Sequence, residues 1–391
     1  MMAAHKSVDR AVAWNRDDME PRIRKVLDRT VEMRGTGPYH AKHADEIATM
    51  LERLFKAHGL EDVAISDVKR MAGGASKEQF IFVLRHKQDQ SGERLILRMD
   101  PLEGIAQTCR GREAQLHNAI SSVLPVAPVR IVDQDGEILG QPGVILEFVK
   151  GVTEPSDSKS KGVAGMGSRF DDWAPKLGPQ FVDAFVKIHG FDWSKADLSL
   201  FAVPEPHSVQ AALWQINAWS RLWWNAVVEP VPVVTYAERW LRENMPVCEK
   251  PVIVHCDLRI GNFMFEEPSG KFTAILDWEL AHLGDFHEDI SWAIQRLFGT
   301  WNEKGEFLVS GLLPRDEFLR QYQEKSGNVI DPVKLRYYEV LNAYKCAVMD
   351  LGQAIRAAKE SNNHQDLVLT WLGSAGAVFL VFFLAVPLRG A

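Results

Sequence analysis

The spacing of apolar residues predicts one helix followed by a small sheet in the first third of the chain. Between residues 43 and 58, apolar side chains recur every three or four positions, and Gly59 follows as a stop signal. Alternating or continuous apolar stretches come next, at residues 63–71, 79–85 and 94–99. Short stretches of this kind predict an antiparallel sheet. The apolar run at residues 143–149 is expected to be its last strand, and it leads into a hinge at Gly151.

Helical periodicity dominates the chain after Gly151. Helices are predicted at residues 181–189, 210–224 and 236–244. The polar, glycine-rich stretch at residues 157–167 is expected to be a mobile loop. The pattern divides the chain into three parts: an N-terminal extension at residues 1–40 with helical character, a first lobe at residues 41–149 and a second lobe at residues 150–391.

Composition favours a globular enzyme over a nucleic-acid-binding protein. The chain has 391 residues, of which 46% are hydrophobic and 25% charged, enough to bury one or two cores. Its formal net charge of -7 argues against nucleic acid as a main partner, because proteins that bind the phosphate backbone are usually basic. Cys109, Cys248, Cys256 and Cys346 show no metal-ligand spacing, which predicts a reducing, cytoplasmic environment. The N-terminal residues lack the apolar core of a signal peptide.

Four polar residues are spaced as a phosphoryl-transfer site requires. His255, Asp257 and Asn262 follow one short apolar run, and Asp277 follows the next. Asp257 is suited to accept the proton of a hydroxyl group, and the oxygens of Asn262 and Asp277 are suited to ligate Mg²⁺. Because nucleotide phosphates bring charge that must be neutralised, this set predicts phosphoryl transfer that depends on ATP and magnesium.

The same segment resembles the aminoglycoside phosphotransferase and choline kinase superfamily. His255, Asp257 and Asn262 match its H-x-D-x-x-x-x-N loop, and residues 276–285 (LDWELAHLGD) match the segment that carries its metal aspartate. The match is closer to the branch associated with acyl-CoA dehydrogenases, whose loop also carries an arginine, here Arg259. The resemblance implies a two-lobed, protein-kinase-like α+β fold, with a small antiparallel sheet in the N-lobe and a mostly helical C-lobe. It implies catalytic roles for this loop, with His255 more suited to hold the loop than to carry a proton.

The resemblance also implies a nucleotide site. Gly73, Gly74 and Ser76 correspond to a G-G-x-S loop whose backbone amides approach phosphate oxygens. Alone, two glycines between strands would indicate only a turn. Arg98 stands where kinases usually carry a phosphate-contacting lysine, and Glu113 stands where its carboxylate partner is expected. Without the other motifs, these two would be interpreted as unrelated surface charges.

Two further features of this site are open at the level of sequence. Arginine in place of lysine can bind phosphate bidentately, but with a different geometry. Adenine is expected to hydrogen-bond the hinge backbone near Glu147 and Val149, where side chains carry little information.

The residues around the motif raise three questions. Asp289 is expected to brace the catalytic loop from the start of a helix; the alternative is a charge at a helix N-terminus. Cys256 replaces the common glycine of the loop and would be strained if its φ is positive. His282, His287 and Glu288 could suggest zinc, but without a suitable spacing they are interpreted as solvated side chains.

The acceptor is the least determined part of the prediction. Five tryptophans lie at helical spacing or near it, at Trp214, Trp219, Trp223, Trp224 and Trp240. Aromatic residues in such a pattern are usually core, but they could also line a pocket for an apolar acceptor. The favoured acceptor, on the family resemblance alone, is a small-molecule alcohol of the hydroxyacyl type or its CoA thioester. The alternatives are an aminoglycoside or macrolide O-phosphotransferase and a catalytically silent nucleotide-binding protein.

The apolar C-terminal segment at residues 368–387 is nearly long enough to span a bilayer. Gly373, Ser374 and Gly376 dilute its first half, and only Arg389 follows it as a charge. A buried last helix or a helix at a homodimer interface is therefore favoured over a membrane segment.

Overall fold

The computed structural model describes residues 15–71, 76–86, 92–158 and 165–363. Gly73 and Gly74, most of the glycine-rich loop at residues 157–167, and the segment at residues 368–387 lie outside the described residues. The described chain forms an α+β structure of two lobes, as predicted, and the connection between them follows residue 147.

The first lobe is built on a five-stranded antiparallel sheet in the order β1-β2-β3-β5-β4. Its strands are β1 (Val63–Arg70), β2 (Glu78–His86), β3 (Gly92–Met99), β4 (Val129–Asp133) and β5 (Gly143–Glu147). Two helices accompany it, α2 (Ala44–Ala57) and α3 (Arg110–Ile120). Phe80, Leu97 and Ile145 lie opposite one another across β2, β3 and β5 and are buried. This apolar row fixes the register, because a shift of one residue would turn it to the other face.

The second lobe is mainly helical, with short strands that carry the loops of the site. Its helices are α4 (Ala174–Gly190), α5 (Gln210–Ala226), α6 (Pro232–Glu243), α7 (Phe286–Ala293), α8 (Arg315–Ser326), α9 (Pro332–Ala347) and α10 (Ile355–Glu360). Its strands are β6 (Val252–Val254), β7 (Phe263–Phe265), β8 (Phe272–Ile275), β9 (His282–Gly284), β10 (Thr300–Trp301), β11 (Phe307–Val309) and β12 (Leu313–Pro314). Aromatic side chains hold α4 and α8 together, and the Phe185 and Phe318 rings meet edge-on at 5.5 Å. The antiparallel pairs β6–β9 and β7–β8 support the site loops.

The N-terminal region packs against both lobes through α1 (Pro21–Glu32). Just before this helix, Glu20 forms a buried ion pair with Arg112 of α3. The indole Nε1 of Trp214, in α5, donates to Asp18 Oδ1 at 2.9 Å. The described part of the extension is therefore bound to α3 of the first lobe and to α5 of the second lobe.

The strand and helix predictions agree with the structure to within a few residues, apart from α4, which begins seven residues before the predicted start. None of the helices within the described ranges has the length and apolar character needed to cross a membrane.

Candidate active site

Asp289 of α7 fixes the start of the catalytic loop, which comprises residues 255–262. Its Oδ2 accepts from the backbone N–H of His255 at 2.7 Å, and its Oδ1 accepts from that of Cys256 at 2.6 Å. His189 Nε2 lies 3.1 Å from the same carboxylate. Asp289 is almost fully buried, so these charge-assisted bonds compensate the burial of its charge. The brace that the sequence suggested for Asp289 is confirmed, and its charge does more than face a helix N-terminus.

His255 links the loop to the segment that carries Asp277. Its Nδ1 accepts from the Asp257 backbone N–H at 3.1 Å, which leaves Nε2 to donate to the Leu276 carbonyl oxygen at 3.0 Å. Burial lowers the pKa of His255, so the ring is neutral. Both ring nitrogens are engaged with backbone atoms and the side chain does not line the cleft, which supports a structural role over a proton-carrying one.

Asp257 faces the cleft with its carboxylate held on three sides. Oδ1 accepts from Arg259 Nε and from Trp292 Nε1, each at 3.0 Å, and Oδ2 accepts from Asn262 Nδ2 at 2.5 Å. Burial raises the pKa of Asp257 to about 6, and Asp277 adds to this shift while Arg259 opposes it. A carboxylate with a pKa close to neutrality is a better proton acceptor than an exposed aspartate.

Asn262 and Asp277 present oxygens that fit a divalent cation. Because the Asn262 Nδ2 donates to the backbone oxygen and the carboxylate of Asp257, its Oδ1 has no partner within the described residues. Asp277 has a left-handed backbone, φ 67°, and its Oδ1 is paired with Arg98. One carbonyl and one carboxylate oxygen in the same cleft are the donor types that Mg²⁺ takes.

Arg98 and Glu113 form a buried ion pair rather than two surface charges. Arg98 Nη1 donates to Glu113 Oε1 at 2.8 Å, and the side chains are 9% and 1% exposed. Burial acts to lower the pKa of Arg98, but the Glu113 and Asp277 carboxylates outweigh it and raise that pKa. The pair links strand β3 to helix α3, and Arg98 extends it to Asp277 in the second lobe.

This pair belongs to a larger charge cluster whose other members the sequence analysis did not single out as binding residues. Arg110 bonds Glu113 and also Glu279, with Nη2 to Oε2 at 3.0 Å. Lys77 Nζ lies 3.8 Å from Glu279 Oε2. Burial alone would raise the pKa of Glu279, but the positive charges of Lys77, Arg110 and Arg98 lower it to about 2. One signal in the sequence pointed to Arg110, since it precedes Glu113 by three residues on a helix.

The hinge supplies one backbone donor and not two. The Glu147 N–H donates to the Pro128 carbonyl oxygen at 2.9 Å, so it is engaged. The N–H of Val149 forms no hydrogen bond with the described part of the chain. Both residues line the cleft with Ser76 and Arg98, which lie on the first-lobe side.

The second-lobe side of the cleft is predominantly apolar. The cleft has a volume of about 390 Å³. Its apolar residues on this side include Trp292, Leu297, Phe298 and Met349. None of the five tryptophans at positions 214 to 240 belongs to the described lining of this cleft. Trp223 is buried in the core, which is the usual interpretation of such a pattern, and Trp240 stacks on Tyr337. Trp292, which follows the catalytic segment, lines the cleft instead.

Behind the catalytic loop, Cys256 joins a buried ionic cluster. Its φ is +63°, a conformation that costs roughly 1–3 kcal/mol for a residue other than glycine. Its Sγ lies 3.3 Å from Lys345 Nζ, and Lys345 is paired with Glu288. His282 Nε2 lies 3.2 Å from the same Glu288.

The interpretation of His282, His287 and Glu288 as solvated side chains is therefore wrong, because all three are buried. The ligand atoms of His282, Glu288 and Cys256 lie within 4.8 Å of one another, but the Lys345 ammonium occupies the cationic position of the cluster. His287 turns away from it toward Asp285, with Nδ1 at 2.6 Å from Oδ1.

Comparisons with known proteins identify the family of the chain. The model of the phosphotransferase enzyme family matches residues 67–338, more than half of the chain. Mouse acyl-CoA dehydrogenase family member 11 is 20% identical over 352 residues, which cover 85% of this chain and 42% of the relative. The chain thus spans less than half of that relative's length.

Solved structures show the same fold. A protein of Ralstonia eutropha JMP134 assigned as an aminoglycoside phosphotransferase is 20% identical, with a TM-score of 0.61, covering 86% of this chain and 97% of its own. A thermostable mutant of aminoglycoside phosphotransferase APH(4)-Ia, in a ternary complex with AMP-PNP and hygromycin B, is 16% identical with a TM-score of 0.52, covering 85% and 99%. The chain belongs to the phosphotransferase enzyme family, and it is a small-molecule phosphotransferase that uses an alcohol group as acceptor.

Proposed function

We propose that the protein transfers the γ-phosphoryl group of ATP to a hydroxyl group of an acyl compound, in a reaction that depends on Mg²⁺. The observation that carries this proposal is the arrangement of Asp257, Asn262 and Asp277 around one cleft. A neighbour of the same fold binds AMP-PNP, which supports ATP as the phosphoryl donor. The four cysteines are buried and form no disulfide, which supports a reducing, cytoplasmic location.

In this proposal Asp257 accepts the proton of the acceptor hydroxyl while the hydroxyl oxygen forms a bond to the γ-phosphorus. The bond between the γ-phosphorus and the bridging oxygen breaks, and ADP leaves with its electrons. Arg259 and Trp292 orient the carboxylate through their bonds to Oδ1. Asn262 and Asp277 would hold the magnesium ion, which neutralises phosphate charge when bound. Arg98 would contact the phosphates, and the Val149 N–H, which forms no hydrogen bond within the described residues, would donate to adenine.

The acceptor is proposed to be a hydroxyacyl compound or its CoA thioester. The relation to an acyl-CoA dehydrogenase family member motivates this choice. The apolar residues Leu297, Phe298 and Met349 support it, because they suit a hydrocarbon chain better than a polycation. The alternative is an antibiotic acceptor, supported by the neighbour that holds hygromycin B.

The test is a coupled ADP-release assay with hydroxy acids, their CoA thioesters, aminoglycosides and macrolides at equal concentration. We expect the acyl acceptors to accelerate ADP release, and the aminoglycosides to leave the rate at its basal value. Turnover of aminoglycosides with no active acyl acceptor would reverse the order of the two functions. ATP binding without turnover of any hydroxyl compound would instead support a silent nucleotide-binding protein.

A further inference from the structure

A widened helical segment brings Asp350 to the second-lobe side of the cleft. Helix α9 continues through a π-helical segment, Val348–Ala354, into α10. Such segments are rare and occur frequently at functional sites. Gly352 within the segment packs against α5, since a Cβ at that position would stand only 3.2 Å from Trp223 Cε3. The packing of Trp223 therefore supports the position from which Asp350 reaches the cleft.

The Asp350 carboxyl is the exception among the acids of this cleft. Asp257 and Asp277 are each bonded to an arginine, Arg259 and Arg98 respectively. Asp350 forms no hydrogen bond or ion pair with any residue in the described ranges, and only burial acts on its pKa. A partly buried carboxyl without a protein partner leaves its hydrogen-bonding capacity for a ligand.

The surroundings of Asp350 favour its neutral form. Its own helix contributes Cys346, a thiol whose pKa burial raises, and α5 presents Trp223 and Ala226 to the π-helical segment. The charged groups of the catalytic loop that line the same cleft are those of Asp257 and Arg259, which bond each other at 3.0 Å. Burial raises the pKa of Asp350 to about 7, so a substantial fraction is protonated near neutrality.

A protonated carboxyl and a carboxylate would recognise different ligands. The carboxylate would bind a cationic group, and the protonated form donates a hydrogen bond to a carbonyl oxygen. No second acid without a partner lies in the described lining of the cleft to assist in binding a polycation. The neighbouring Leu297, Phe298 and Met349 suit a molecule with a hydrocarbon part.

We propose that Asp350 determines acceptor specificity by donating a hydrogen bond from its protonated carboxyl to the acyl carbonyl oxygen of the acceptor, while Asp257 receives the hydroxyl proton. This inference rests on the proposed function and adds to it a second polar contact for the same molecule. It assigns the acceptor a carbonyl group in addition to the reacting hydroxyl.

The test compares Asp350→Asn, which keeps a donor, with Asp350→Leu, which keeps the approximate size and removes it. For a hydroxyacyl thioester, kcat/KM of Asp350→Leu is expected to fall roughly tenfold or more, chiefly through KM, because the carbonyl is left without a donor. The wild-type kcat/KM is expected to fall by about tenfold per unit above pH 7, whereas Asp350→Asn loses this decline. Asp316→Asn, at an exposed position on α8, serves as the matched control and should follow the wild type.

Equal losses in Asp350→Asn and Asp350→Leu would overturn the proposal, as would a retained alkaline decline in Asp350→Asn. The same two variants are to be measured on whichever acceptor class the panel finds active. If a cationic acceptor is the substrate and Asp350→Asn abolishes its binding, the carboxyl acts as an anion and the proposal fails.

An infrared difference spectrum between wild type and Asp350→Asn gives a readout that needs no turnover. We expect the carbonyl stretch of a protonated carboxylic acid at pH 6, replaced by carboxylate bands at pH 8. Absence of that band at pH 6 would refute a protonated Asp350 whatever the acceptor proves to be. If the band is present but no acyl compound is an acceptor, Asp350 is protonated as inferred and the proposed function is wrong. The failure of the inference and the failure of the proposed function are therefore distinguishable.

Discussion

The two sides of the cleft differ in how their charges are balanced. On the first-lobe side, Arg98, Arg110 and Glu113 are buried and bonded to one another, and Arg110 also bonds Glu279 of the second lobe. On the second-lobe side, Asp350 stands among apolar residues with no partner in the described chain. Pairing of opposite charges keeps the buried cluster ionised without a ligand, whereas burial alone shifts the Asp350 carboxyl toward its neutral form. The same cleft therefore holds charges that are fixed by mutual pairing and one carboxyl whose protonation responds to pH.

Removal of the proton acceptor between these two sides should have the largest effect. Asp257→Asn is expected to lower kcat by roughly two to four orders of magnitude, because the amide cannot take the hydroxyl proton. ATP affinity should change little, since the substitution leaves Arg98 and the hinge intact. Single-turnover kinetics and nucleotide titration measure the two quantities separately, and turnover close to wild type would disprove the role of Asp257.

Disruption of the paired side should reduce stability rather than only activity. Glu113→Gln leaves two buried arginines short of a carboxylate, and the free energy of unfolding is expected to fall by about 3–5 kcal/mol. Glu317→Gln, which removes an exposed partner of Arg320, is the matched control and should give no resolvable change. Urea denaturation followed by tryptophan fluorescence measures both. Equal stability of the two variants would mean that the buried pairing contributes little.

The metal response should depend on Asp277. In Asp277→Ala the main anionic oxygen is gone and Asn262 is neutral, so Mg²⁺ is expected to lose its stabilising effect on the nucleotide complex. Melting temperatures with ATP, in the presence of Mg²⁺ or of EDTA, provide the measurement. Asp277 also pairs with Arg98, so the substitution can change the melting temperature without any metal. The change in melting temperature caused by Mg²⁺ is therefore measured within each variant before it is compared with that of wild type. A magnesium-dependent rise equal to that of wild type would locate the metal elsewhere.

The pH dependence should give the smallest effect and the finest distinction. Burial raises the pKa of Asp257 to about 6, and the group acts as a base only when deprotonated. The wild-type kcat/KM is therefore expected to rise by about tenfold per pH unit below pH 6, ahead of the decline above pH 7 that loss of the Asp350 proton should cause. Glu113 and Glu279, whose pKa values are lowered, should stay ionised over this range. A rate independent of pH between 5 and 6 would contradict the shift at Asp257.

Local sequence determined much of the fold and the composition of the site. Helix α2 and strands β1 to β3 follow from periodicity, because apolar spacing decides which face of an element can be buried. The spacing of Asp257, Asn262 and Asp277 indicated the chemistry, because the residues predicted to be catalytic lie within one short segment. The functional roles of these residues remain predictions for the experiments above.

Tertiary structure decided what depends on contacts between distant parts of the chain. His282 is buried, and Cys256 has a left-handed backbone and contacts Lys345, which lies 89 positions away in the chain. No local pattern specifies a contact over that separation. The choice between core and pocket lining for the tryptophans at positions 214 to 240 stayed open for the same reason, since helical periodicity shows that a face is buried but not against which partner. The sequence by itself determined the family and predicted the reacting groups. Only the packing of distant helices decided which of the acids are paired, and therefore what charge each carries.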